Sequence, residues 1–274
     1  MAVSMADISK LRTMTGAGMM DCKNALTEAN GDFEKAVEII RKRGQAIAAK
    51  RSDREASEGC VLAGVNGNFA ATVAVKCETD FVAKNADFIG LTKQILEAAL
   101  DKQPADLAAL AAATIGGKAI ADLIAERSGI TGEKMELDFY EFVKGESVIS
   151  YIHPGNKLAT IVAFNQAGVD NQLAKDLAMQ VAAMNPVSLD RSSVPASVTE
   201  KELEIGREKA RQEGKPEAML NKIAEGRLAK FYQESTLMEQ AFIKDGKINI
   251  AQYLKQQNAD LTVTAFKRVT LNQD

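Results

Sequence analysis

The chain has 274 residues, 46% of them hydrophobic, which is enough for a sizeable core and for two or three modules. Its 34 Lys and Arg stand against 37 Asp and Glu, and aromatic residues make up 5% with no Trp, which argues against a nucleic acid partner on grounds of both charge and base stacking. Three widely spaced cysteines, Cys22, Cys60 and Cys77, fit neither a disulfide framework nor a CxxC metal site, and no run reaches the roughly 18 apolar residues of a membrane helix, so a cytoplasmic protein that does not enter membranes is expected.

Ile8 and Leu11 begin an apolar helical stripe that stops at Thr15-Gly16-Ala17-Gly18. A second stripe, Met19, Cys22, Ala25, Leu26 and Ala29, ends at the C-cap pair Asn30-Gly31, and Asp32 is placed to cap a third with Phe33, Ala36, Val37 and Ile40 on one face. These predict a small three-helix bundle over 1–54, whose basic, Ala-rich part at 41–54 continues as an exposed linker helix. The first ten residues carry Asp7 and no apolar stretch, which predicts neither a secretory signal nor an Arg-rich transit peptide. Met19 and Met20 are adjacent at a helix start and cannot both face one small core. One is expected at the surface, as an adaptable thioether contact or as a cover for the Gly16-Gly18 turn.

Beyond the linker the pattern alternates. Residues 60–65 and 69–77 read as strands joined through Asn66-Gly67, a strong hairpin signal. The next seven residues, Thr79-Asp80-Phe81-Val82-Ala83-Lys84-Asn85, lead into a helix whose stripe is Phe81, Phe88, Leu91, Ile95 and Leu96. Thr79 or Asp80 caps it, and the local chemistry makes Phe81 a core staple. A helix at 117–127 and a strand at 135–143 follow. Strands at 147–153 and 158–165 and a helix at 171–184 then repeat the earlier order. Gly67-Asn68-Phe69-Ala70-Ala71-Thr72-Val73 lies over Gly155-Asn156-Lys157-Leu158-Ala159-Thr160-Ile161 at a constant offset of 88, residue 155 against residue 67.

Residues 198–233 are highly charged and split by Gly214-Lys215-Pro216, with narrow stripes at Leu203, Ile205 and Ala210 and at Leu220, Ala224, Leu228 and Phe231. They read as a projecting antiparallel helical hairpin, either a solvated arm or a surface on which two copies form a homodimer. A helix at 250–254 and a strand at 261–269 close the second half. The expected fold is α+β, with modules at 1–54, 55–144, 145–185 joined by 235–274, and an inserted hairpin at 186–234.

Catalytic constellations are hard to assemble. His153, the single histidine, precedes Pro154-Gly155 at a turn. A Cys77/His153 pair is conceivable, but Cys77 lies within a strand and reads as a small core residue. Gly116-Gly117-Lys118 fails as a phosphate loop, because Ala112 holds the place of the first Gly and Ala119 that of the magnesium-binding Ser or Thr. No cofactor, metal or catalytic residue is expected, and the chain reads as one that acts by binding.

The string Leu11-Arg12-Thr13-Met14-Thr15-Gly16-Ala17-Gly18-Met19-Met20-Asp21-Cys22-Lys23-Asn24-Ala25-Leu26, with Cys77-Glu78-Thr79-Asp80-Phe81-Val82-Ala83-Lys84, resembles the two signatures of the elongation factor Ts family. The likeness continues through Tyr151-Ile152-His153, Gly214-Lys215-Pro216, Glu225-Gly226-Arg227 and Lys230-Phe231-Tyr232. The resemblance implies a guanine-nucleotide exchange factor for the GTPase elongation factor Tu, without covalent chemistry. It implies that the N-terminal bundle is similar to a ubiquitin-associated domain and meets the GTPase through Arg12, Met19, Met20 and Lys23. It further implies that Thr79 to Asn85 enter near the nucleotide and magnesium, with Phe81 as a wedge and Asp80 beside the metal region, and that His153 contacts another domain of the partner. Ala74, Ala159 and Ala241 depart from the family's usual Glu, Gly and Pro. Some members continue into a further C-terminal module, a contact not expected of a chain that ends soon after its last strand. Two other readings stay open: an adaptor for ubiquitin-like partners that dimerises through the hairpin, and a cysteine-dependent enzyme. Release of GDP from elongation factor Tu separates them.

Overall fold

Residues 3–272 are described by the structure, a computed structural model; positions 1–2 of the expected N-terminal module and 273–274 of the expected C-terminal half lie outside the described residues. Ser4 opens α1 (Met5–Thr15) with a reciprocal cap: its hydroxyl accepts from the Asp7 N–H and the Asp7 carboxylate accepts from the Ser4 N–H. Gly16 at φ +71 ends it, where a side chain would be strained. α2 (Met19–Glu28) stops before Asn30-Gly31, and Asp32 caps α3 (Phe33–Lys50) by accepting from the Lys35 N–H. The three bury Ile8, Leu11, Cys22, Leu26 and Ala36 among themselves.

β1 (Glu58–Asn66) and β2 (Phe69–Cys77) pair antiparallel from Glu58↔Cys77 to Asn66↔Phe69. The turn is Gly67-Asn68, one position later than expected, because Asn66 is still in the ladder and Gly67 at φ +59 supplies the bend. The single helix expected next is two, α4 (Asp80–Ala83) and α5 (Ala86–Lys102). An Ala-rich stretch without a clear apolar period then forms α6 (Leu107–Ala112) and the small hairpin of β3 (Thr114–Ile115) and β4 (Lys118–Ala119). α7 (Ile120–Thr131) and β5 (Met135–Lys144) complete the first half, whose sheet has the order β1-β2-β5.

The second half opens with β6 (Ser147–Ile152), β7 (Leu158–Phe164) and α8 (Asn171–Met184), the last with the expected bounds. α9 (Ala196–Gln212) and α10 (Leu220–Ser235) pack on each other, with Gly206 so near Ala224 that an added Cβ would lie 3.0 Å from the Ala224 Cα. The small hairpin β8 (Ala241–Phe242) and β9 (Asp245–Asn249), then α11 (Ile250–Gln257), lead to β10 (Val263–Thr270), which returns beside β7 to give the order β10-β7-β6.

The architecture is α+β, with the two antiparallel sheets face to face and helices on their outer sides. Val61, Ala63, Ala70, Ala74, Ala159, Ile161 and Ala163 fill the space between sheets. The alternate residues Phe69, Val73 and Val75 face Phe88 and Ile95 of α5, while Val162 and Phe164 face Leu173, Leu177 and Val181 of α8. Both faces of the central strands are therefore buried, and alanine dominates where the sheets meet. Ala74 belongs to that layer, where a Glu would be a desolvated carboxylate. Ala159 sits in a regular ladder opposite Ile152, and the Ala241 carbonyl accepts from Gln180 Nε2 at 3.1 Å.

The second half of α3 is not the exposed linker that its charges suggest. Gly44 is buried against Gly129 of α7, and a Cβ on Gly129 would fall 2.1 Å from the Gly44 Cα. Two facing glycines let the helix backbones touch, and Arg41 lies 3.7 Å from Glu126. The basic residues line the rim of a helix contact. Among the described residues no helix is long and apolar enough to cross a membrane.

Candidate functional site

The corner after β2 is a single helical turn standing on buried neighbours. Thr79 is extended and caps α4, its hydroxyl accepting from the Val82 N–H at 3.4 Å. Ala83 is buried and Val82 packs against the core of the first half, whereas Phe81 is 84% exposed. The core-staple reading of Phe81 therefore does not hold. Asn85 leaves the helical region and caps α5 by accepting from the Asp87 N–H, which restarts the helical period and takes Phe81 out of phase with Phe88. Asp80 forms an ion pair with Lys84 at 2.6 Å; that bond, and more weakly the charge of Lys157, holds its carboxyl below the usual carboxylate range.

Two carboxylates fasten this corner to the loop between α7 and β5. The Glu133 carboxylate accepts the Glu78 N–H at 3.1 Å, the Thr79 N–H at 3.0 Å and the Thr79 O–H at 2.6 Å. In return the Glu78 carboxylate accepts the Lys134 N–H at 2.6 Å, with Arg54 at 3.0 Å and Arg51 at 3.3 Å from the end of α3. The Lys134 N–H, helped by Arg54 and Arg51, holds the Glu78 carboxyl below its ordinary value. The pair Cys77↔Met135 is the last rung of the ladder, and side chains take over from there. Glu133 carries no local signal in the sequence beyond its place after Gly132, whose φ of +73 ends α7.

The turn between β6 and β7, which carries His153, lies against β1: the Val61 N–H donates to the Asn156 carbonyl at 2.7 Å and Lys157 pairs with Glu58 at 2.8 Å. His153 is exposed, with Nδ1 at 3.0 Å from the Tyr151 hydroxyl. The fold thus brings that turn to the edge of the sheet from which the corner departs. Arg12, Met19, Met20 and Lys23 are exposed on the N-terminal bundle, Met19 by 36% and Met20 by 64%. Met5 and Met14 of α1 are exposed as well. Among the described residues no hydrogen bond or ion pair joins these bundle residues to the corner. The connection runs instead through Arg51 and Arg54 to Glu78.

Cys77 and His153 have separate partners. The Cys77 thiol is buried, donates to the Thr79 carbonyl at 3.3 Å, and is pushed up to about 12 by burial and by the nearby Glu133 and Glu58 charges. A thiol so held stays protonated at neutral pH, the reverse of what a nucleophile requires.

Comparison with known proteins supplies the remaining findings. A family model described as Elongation factor TS matches residues 78–273. A protein of Porphyromonas gingivalis described as Elongation factor Ts is 60% identical over 275 residues, covering all of both chains. One of Azobacteroides pseudotrichonymphae with the same description is 55% identical over 274 residues, again covering all of both. One of Amoebophilus asiaticus, also so described, is 52% identical over 273 residues, covering 98% of this chain and 99% of its own.

Proposed function

The chain belongs to the elongation factor Ts family, and on that premise we propose that it binds elongation factor Tu carrying GDP and promotes GDP release, so that GTP can reload. The observation that carries this reading is Phe81, a large ring held 84% exposed on a helical turn whose Val82 and Ala83 pack on the core. In this reading Thr79, Asp80, Phe81, Val82, Ala83, Lys84 and Asn85 enter the GTPase near its nucleotide and magnesium. Phe81 wedges between helices, and Asp80 approaches the metal region. Arg12, Met19, Met20 and Lys23 dock the N-terminal bundle, similar to a ubiquitin-associated domain, on the GTPase domain, while His153 meets another domain of the partner. The α9 and α10 hairpin is an arm on which two copies can pair. The chain carries out no covalent step, needs no cofactor or metal of its own, and works in the cytoplasm apart from nucleic acid and membranes.

Exchange requires a differential interaction, because a partner that binds the loaded and empty GTPases equally shifts nothing. A ring seated between two helices favours the arrangement that has opened for it. By reciprocity, whatever factor by which this chain weakens GDP is the factor by which GDP weakens this chain, and GTP later displaces it by the same linkage. Loss of magnesium removes cationic charge that holds the diphosphate.

The test is release of fluorescent GDP preloaded on elongation factor Tu, with the chain added in less than stoichiometric amount. Acceleration through many turnovers is expected of the native protein. Phe81→Ala is expected to lose roughly 1–3 kcal/mol of the acceleration, as a hot-spot ring does. A variant as fast as the native protein would reject the wedge.

A further inference from the structure

The ring of Phe81 is so exposed that its direction is set by the turn beneath it and not by contacts of its own. That turn is fixed twice. Burial of Ala83 and packing of Val82 fix its far side. Its near side, the Glu78 and Thr79 backbone, is held by the half-buried carboxylate of Glu133, which takes two backbone N–H groups and the Thr79 hydroxyl. Three bonds converge on this one carboxylate, at 3.1, 3.0 and 2.6 Å, and they fall just past the last rung of the β2 and β5 ladder. Without them two amides and a hydroxyl at the root of α4 would turn to water, and the cap of α4 would be free to swing.

We infer that Glu133 is the positioning residue of the exchange corner, holding Thr79 so that α4 presents Phe81 in one orientation before any partner is met. This rests on the exchange reading given above. Glu133 does not itself touch the GTPase in this scheme. Its contribution is preorganisation: the entropy of ordering the corner is lost during folding and not again on entering the partner. Docking through the bundle and the second half is left intact when Glu133 is changed. The effect must therefore fall on the maximal rate of release and spare the concentration needed for half of it.

The experiment uses the full chain with Glu133→Ala, Glu133→Gln and Glu133→Asp. Gln can still accept from the backbone and donate to the Thr79 oxygen, whereas Asp keeps the charge but loses the reach. Amide exchange in the free proteins is expected to rise at residues 78–84 in E133A and E133D by about tenfold, with the second half unchanged, and to return toward native in E133Q. Maximal GDP release is expected to fall about tenfold in E133A, with half-saturation within about threefold of native, because a misplaced group loses rate before it loses binding. Native exchange at 78–84 in E133A overturns the inference, as does a loss confined to half-saturation. Failure of E133Q to recover either property overturns it too. If E133A does not fold, E133D against E133Q decides by the same two readouts. Should the native chain fail to release GDP, the exchange reading falls, while amide exchange still decides whether Glu133 holds the corner.

Discussion

In the first half of the core the chain leaves β2 through residues 78–85 and builds α4 before α5 begins, whereas in the second it passes from β7 through residues 165–170 directly into α8. Up to that point the halves follow one plan: Gly67 and Gly155 turn their hairpins at positive φ, Thr72 and Thr160 are fully buried, and the third strand lies beside the second. At the corner they part. Val169 packs into the second core, while Phe81 stands in solvent, which forgoes about 2 kcal/mol of the burial a Phe could contribute. The fastenings differ in kind as well. Asn165 joins Thr262 through a backbone bond and its own amide, accepting the Thr262 N–H at 2.8 Å, where the first half uses the carboxylates of Glu78 and Glu133. The shared scaffold needs neither the ring nor the charges. The ring and the exchange of bonds between Glu78 and Glu133 belong to the first half alone; the carboxylate of the second corner, Asp170, instead caps α8.

The sharpest way to break the contrast is Phe81→Ala, which makes the first corner as blank as the second. Release of GDP from elongation factor Tu is expected to lose roughly 1–3 kcal/mol. The melting temperature should not move, because so exposed a ring contributes little to folding. A fallen melting temperature would mean that the ring packs in solution.

The first half also carries the docked α3, and Gly129→Ala strikes that contact. Its Cβ would meet the Gly44 backbone, which cannot rotate away as a side chain could. Overpacking of about 1–3 kcal/mol is expected, read as a lower urea midpoint. An unchanged midpoint would show that α3 and α7 separate freely.

Thr72→Val and Thr160→Val ask whether the halves are equivalent in stability. The Thr72 hydroxyl donates to the Leu62 carbonyl at 3.0 Å and that of Thr160 to the Ala178 carbonyl at 2.8 Å. Each variant is expected to cost about 1 kcal/mol in chemical denaturation. A clear inequality would show that one half dominates unfolding.

The smallest effect distinguishes the fastenings by pH. Glu78 and Asp80 have folded-state values lowered from 4.5 and 3.8, so what they contribute to the corner is complete above those values. It is lost as pH falls through the depressed ones. Amide protection at 78–85 should fall in acid before protection around Asn165, whose amide does not titrate. Simultaneous loss would remove the distinction.

Much of this chain was legible because its signals are local. Asp32 and Gly16 cap their helices through groups no more than four residues away, and α8 has the bounds that its stretch of sequence predicts. The repeat at an offset of 88 foretold two matching hairpins, and the two signatures pointed to the family that the comparisons show. What stayed hidden depends on distant partners. Phe81 was in register with Phe88 by count, until the extended backbone at Asn85 broke the helix between them. Gly44 counts as a helix weakness in its own segment and becomes a contact only when Gly129 arrives opposite it. Glu133 binds Thr79 from 54 positions away, and no period or cap relates them. The sequence by itself therefore determined most of the elements, their repeat and the family, because caps, turns and hydrophobic periods act within a few residues. Only the tertiary structure decided which ring faces water and which carboxylate holds it there, because burial and hydrogen bonding are settled by whatever the rest of the chain brings alongside.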